Sequence, residues 1–136
     1  MSRPDGAAVP WPRAAHALVA IRVEHEPDRR VAVCRVAGEV DTYSAGTLNN
    51  ALTELDTTSN GLRHLVVDLS SVTFFGLAGL ASLVQHHARC VSQGVVLSVA
   101  VGRSVARRPI ELLEMHRVLR IHDTVRQARE AFERPT

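Results

Sequence analysis

Leu65-Val66-Val67-Asp68-Leu69-Ser70-Ser71-Val72-Thr73-Phe74-Phe75-Gly76-Leu77 is the stretch on which the fold turns. Its first five residues are nearly all apolar and branched, the pattern of a strand buried on both faces of a parallel sheet. Leu77, Leu80, Ala81, Val84, Ala88 and Val91 then recur at spacings of three and four, which predicts a helix. A buried strand that feeds a helix is the unit of an alternating α/β chain.

The same alternation continues in both directions. Downstream, Gly94 breaks the helix and Val95–Val101 reads as another buried strand. A third helix runs to about Met115, with Ser104 or the Pro109 turn as its start. Val118–Ile121 is a short strand. Asp123 or Thr124 caps a last helix carrying Val125, Ala128 and Phe132. Upstream, Gly61 is a candidate left-handed helix stop, and Leu48, Leu52 and Leu55 mark one face of a first helix. Ser44 is a candidate N-cap, its hydroxyl accepting from the first turn. Leu18–Val23 and Val31–Ala37 are strands joined by the turn Glu26-Pro27-Asp28-Arg29, hence an antiparallel hairpin. The order ββαβαβαβα predicts an α/β fold: a mostly parallel five-stranded sheet, an N-terminal antiparallel hairpin and about four helices. One domain is expected over 16–134. Residues 1–15, with Pro4, Gly6, Pro10 and Pro12, read as a flexible tail that contains Trp11.

Composition narrows the function. In 136 residues the net charge is +2, all basic side chains are Arg, and the densest cluster is Arg103, Arg107 and Arg108. So small an excess does not call for nucleic acid, and a solvated face is the simpler reading of the cluster. No apolar run reaches the roughly 20 residues of a membrane span, and the N-terminus has no apolar signal core, so a cytoplasmic protein without membrane insertion is expected.

The chemistry-bearing residues are few. No nucleophile elbow, phosphate loop or dinucleotide fingerprint occurs. His86 and Cys90 share a helix face, but two ligands do not close a zinc site; a surface His beside a half-buried Cys is the simpler reading, and no metal or other cofactor is expected. Glu39 and Asp41 end a strand, with no nucleophile or His near them in sequence. Asp41 stands at a strand's carboxyl end ahead of a helix, where functional loops of open α/β sheets gather; a turn or capping role is the plainer alternative. Of Phe74 and Phe75, one faces the core and the other either lines a contact surface or is also buried. Cys34 and Cys90 leave a redox role open, with Cys34 better read as inert core.

Three segments in order resemble the STAS domain of anti-sigma factor antagonists. They are Gly38-Glu39-Val40-Asp41 with Ser44–Leu48, the strand Leu65–Phe74 leading to Gly76-Leu77-Ala78-Gly79-Leu80, and Leu112 through Ala128. The resemblance implies a non-enzymatic regulator of transcription. It would bind a kinase-type anti-sigma factor and free the sigma factor, as a monomer or weak dimer. The implied contact surface is Asp41, Thr42, Tyr43 and Ser44 together with Phe75, Gly76, Leu77, Ala78, Gly79 and Ser82. Where the family reads D-S-[ST]-G-L, Ala78 occupies the phosphoacceptor position and has no hydroxyl. The expectation is therefore an antagonist without the usual phosphorylation switch. The alternative is a STAS interaction subunit of a membrane transport or stress-signalling complex.

Overall fold

The computed structural model describes residues 19–26, 28, 30–58 and 61–134, without the side chains of 56–58. Strands β1 (Val19–Glu26), β2 (Val31–Val40), β3 (His64–Phe75), β4 (Val96–Ala100) and β5 (Arg120–His122) form one sheet in sequential order β1-β2-β3-β4-β5. β1 and β2 are antiparallel; every other pair is parallel. Between them lie α1 (Ala45–Thr58), α2 (Leu77–Gln93), α3 (Arg107–Leu112) with a 3-10 turn at Met115–Arg117, and finally α4 (Val125–Glu133). The α/β architecture is as the alternation predicts. The turn residues Pro27 and Arg29, and the 1–15 segment, lie outside the described residues.

Sequential strand order has a geometric consequence. Each parallel crossover steps to the next strand in the same direction, so a constant hand of connection lays α1, α2 and α3 on one face. Alternation along the strands sorts side chains accordingly. Cys34 and Val36, Leu65, Val67 and Leu69, and Leu97 and Val99 join Leu48, Leu52, Leu55, Leu83 and Ile110 in the main core. Val33, Val66 and Ala100 point the other way, against Ala128 of α4. Each fully buried Leu contributes about 1.5–3 kcal/mol, so the first face carries most of the stability. Beyond α4 the second face is ionic: Arg35 bridges Glu24 at 2.9 Å and Asp68 at 2.8 Å.

Several elements depart from their sequence pattern. β3 is longer than Leu65–Leu69. Its first half pairs with both β2 and β4, and its second half continues along β2 to the pair Val40–Phe75. Two register shifts against β2 place an extra β3 residue each, between Asp68 and Ser71 and between Val72 and Phe74. α3 stops at Leu112, not Met115, and the left-handed Glu114 (φ 55°) turns the chain into the 3-10 segment. Gly94 ends α2 in the left-handed conformation (φ 74°), and its N–H reaches the last carbonyls. Thr124, rather than Asp123, caps α4 by accepting from the Gln127 N–H at 3.0 Å.

α2 corrects the sequence pattern most. Its buried stripe is Gly79, Leu80, Ser82, Leu83, His86 and Cys90, whereas Leu77, Ala81, Ala88 and Val91 face outward. Ser82 and His86 are inside because Asn49 of α1 satisfies them: His86 Nε2 lies 2.8 Å, and Ser82 Oγ 3.5 Å, from its Oδ1. A buried polar group is tolerated once it is hydrogen-bonded.

Candidate functional site

The carboxyl ends of β2 and β3 lie side by side, and both strands turn there into helices. The Gly76 N–H donates to the Val40 carbonyl at 3.0 Å, so the lead-in to α2 is tied to the lead-in to α1. The two segments the sequence singles out thus form one surface.

The α1 lead-in is a closed polar knot. One Asp41 carboxylate oxygen accepts from the Tyr43 and Ser44 N–H groups, each at 2.9 Å. Ser44 Oγ accepts from the Asp41 N–H at 2.9 Å and stands 2.6 Å from the Glu39 carbonyl, to which it donates. The Ser44 backbone N–H, then the hydroxyl and the Tyr43 N–H, hold the Asp41 carboxyl below its ordinary range, against a smaller desolvation effect. Ser44 is therefore not the expected cap of the first helical turn. Its hydroxyl locks the loop that precedes the helix, and Asp41 plays the turn-forming part.

The α2 lead-in has no such knot. Gly76 stands at the N-cap in extended backbone, and no side chain caps the helix. What fixes the helix is proximity. A Cβ on Gly79 would come within 2.7 Å of both Phe75 Cε1 and Val40 Cγ1, so only glycine fits where α2 presses on the strand ends. A Cβ on Gly76 would stand 3.1 Å from the Phe74 ring.

These contacts divide the expected contact residues. Ser44 (6% exposed), Phe75 (6%) and Ser82 (5%) are buried, and so is Gly79. They support the surface from beneath and are not available to touch a partner. Asp41, Gly76 and Ala78 are partly exposed and Thr42 is exposed. Tyr43 (90%), Leu77 (73%) and Phe74 (50%) present large apolar side chains to solvent. Phe74, placed in register with the exposed Glu39, is absent from the expected set. Strand alternation already signalled it: with Phe75 inward, Phe74 faces out.

The cysteines are elsewhere. Cys34 and Cys90 are both buried in the main core and are not bonded to each other. Burial, and then the Asp68 carboxylate, push the Cys34 thiol up to about 12. A thiol so protonated is a poor nucleophile, which opposes a redox role for Cys34. His86, expected at the surface beside a half-buried Cys90, is instead buried with it. No group of three or more His, Cys, Asp or Glu side chains among the described residues could hold a metal. No described helix is long and apolar enough to cross a membrane.

Comparison with known proteins gives the family and the fold. The STAS domain family matches residues 21–128. The anti-sigma-F factor antagonist RsfB of Mycobacterium tuberculosis is 35% identical over 98 residues, covering 72% of this chain and 78% of RsfB. The crystal structure of an anti-sigma factor antagonist from Mycobacterium paratuberculosis superposes with a TM-score of 0.73 at 26% identity, covering 96% of this chain and 97% of that one. The anti-sigma factor antagonist SpoIIAA in its unphosphorylated form shares the fold, with a TM-score of 0.66 at 12% identity over 83% of this chain and 96% of its own.

Proposed function

This chain belongs to the STAS domain family, and from that premise we propose that it is a cytoplasmic anti-sigma factor antagonist that holds a kinase-type anti-sigma factor without a phosphate switch at residue 78. The observation that carries the reading is that the two helix lead-ins joined by the Gly76–Val40 hydrogen bond expose large apolar side chains, Tyr43 on one and Phe74 and Leu77 on the other, next in sequence to Ala78. A phosphate would bring about two negative charges to such a surface and disrupt an apolar contact. Ala78 has no hydroxyl to receive one. The surface therefore stays apolar, and nothing at residue 78 can turn partner binding off. The chain acts by contact and carries out no turnover.

A pulldown from native lysate, with the Ala78→Ser variant beside the parent chain, tests this reading. The parent captures a kinase-like anti-sigma factor and keeps it when ATP is added. The variant captures it and releases it as Ser at residue 78 becomes phosphorylated. Recovery of transporter subunits by the parent chain, or ATP-driven release of its partner, overturns the proposal.

A further inference from the structure

We propose that this chain pairs with a second copy of itself along the outer edge of β1, antiparallel and with Val23 opposite Val23. This edge is distinct from the surface formed by the starts of α1 and α2.

Sheet topology supplies the first argument. The strand order leaves β1 at one end, and among the described residues it pairs with β2 alone. Its eight residues lie opposite Val31–Gly38 in unbroken register and include no proline. A regular strand of this length presents a row of N–H and C=O groups on its outer side, a template for one more strand. β5, at the other end of the sheet, has only three residues and offers far less.

Charge names the occupant. Ile21 packs on the main core and Glu24 on Arg35, so Ile21, Val23 and His25 share the face that α1 to α3 cover, and Arg22 and Glu24 share the other. On that second face one level of the sheet reads Asp68, Arg35, Arg22 from β3 outward, each in register with the next. Two arginines thus stand side by side at the edge. Glu24, one step along, reaches Arg35 at 2.9 Å and Arg22 at 3.8 Å, and its side chain is still 45% exposed. An acid beyond Arg22 would complete the row. A second copy supplies it: pairing centred on Val23 sets Arg22 against Glu24 of the other copy twice, once on each side of the twofold axis. It also sets the exposed Val23 against its counterpart, and Ile21 against His25. Shifting one copy by two residues brings Arg22 onto Arg22 or Glu24 onto Glu24, which is repulsive. Shifting it by one turns its helix-covered face over. The order Arg22-Val23-Glu24 therefore selects its own register.

Sedimentation of the full chain over a concentration series reads the association. The expected mass rises reversibly from 14.8 kDa toward twice that value. Arg22→Glu and Glu24→Arg each set like charges opposite one another and should weaken self-association about tenfold or more. An equimolar mixture of the two variants should dimerise again, because each then faces its opposite. Val23→Cys leaves every charge in place and decides the matter where a reversal unfolds the chain. Mild oxidation should link that variant into a covalent dimer, whereas Ile21→Cys, which faces His25, should stay unlinked; the native Cys34 and Cys90 are buried. A chain that stays monomeric at every concentration overturns the proposal. So does a dimer that neither charge reversal weakens, or one that Ile21→Cys links as fast as Val23→Cys. None of these outcomes depends on what the pulldown recovers.

Discussion

The two helix starts at the end of the sheet solve the same problem in opposite ways. Both α1 and α2 must leave a buried strand and present unpaired N–H groups near solvent. α1 does it with polar side chains: Asp41 and Ser44 close a loop of hydrogen bonds that also fixes Glu39. α2 does it with none, and relies on the missing Cβ of Gly79 to seat the helix against Phe75 and Val40. The difference teaches that a polar lead-in occupies its own groups, whereas a packed lead-in leaves its outer face free. Leu77 is left exposed there, while Ala78, partly exposed, also packs against the main core.

Breaking the packed start should have the largest effect. In a helix interior Gly→Ala ordinarily gains about 1 kcal/mol, but at Gly79 the new methyl has nowhere to go. Gly79→Val is expected to cost about 3 kcal/mol or more through overpacking, read as a lower urea midpoint. A value near zero would mean that α2 shifts freely over the strand ends.

Acid separates the starts from the rest of the fold. His64, the first residue of β3, is fully buried, stacked on Phe132 and 2.9 Å from Ser98 Oγ. Burial, then His122 and the nearby Arg129 and Arg120, hold it down to about 4 against an ordinary value of 6.5. Its stabilising contribution is complete above 6.5 and is lost as pH falls from there to about 4, because the unfolded chain takes up the proton first. The loss is on the order of 3 kcal/mol, at the end of β3 remote from both helix starts. His64→Gln should flatten the dependence of unfolding free energy on pH across that window. Below it the starts diverge: the depressed Asp41 value means that the α1 lead-in loses its contribution only as pH drops past the ordinary carboxylate range. Gly76–Leu80 holds no titrating side chain, so amide exchange should loosen at Ala45–Leu48 before Leu77–Leu80.

Ser44→Ala removes the hydroxyl between Asp41 and Glu39 and should cost about 1–2 kcal/mol, less than the Gly79 change and confined to the α1 side. The smallest stability effect belongs to Leu77→Glu. A surface change of this kind stays within about 0.5 kcal/mol, while anti-sigma binding in the pulldown should be lost. An unfolded or fully binding Leu77→Glu chain would contradict the division between seating residues and contact residues.

The alternation around Leu65–Leu69, the hairpin, Leu48, Leu52 and Leu55, and the helix break at Gly94 were legible because each is a local pattern with a local cause. The face of α2 was not. Helical period assigns a phase only by assuming that apolar residues go inward, and on α2 that puts Leu77 and Val91 inside and Ser82 and His86 out. Asn49, more than thirty positions away, reverses the assignment by satisfying both polar groups. The apolar run alone marked only Leu65–Leu69 of β3; the second half, with Ser70, Ser71 and Thr73, is a strand because β2 supplies a ladder partner along one edge.

The amino-acid sequence by itself determined the order of strands and helices, the family resemblance and the missing hydroxyl at residue 78, since each depends on residue identity and near neighbours. Only the tertiary structure decided that Phe75, Gly79 and Ser82 seat the site while Tyr43, Phe74 and Leu77 face solvent. Exposure is a property of what packs against a residue, and here the packing partners come from elements far apart along the chain.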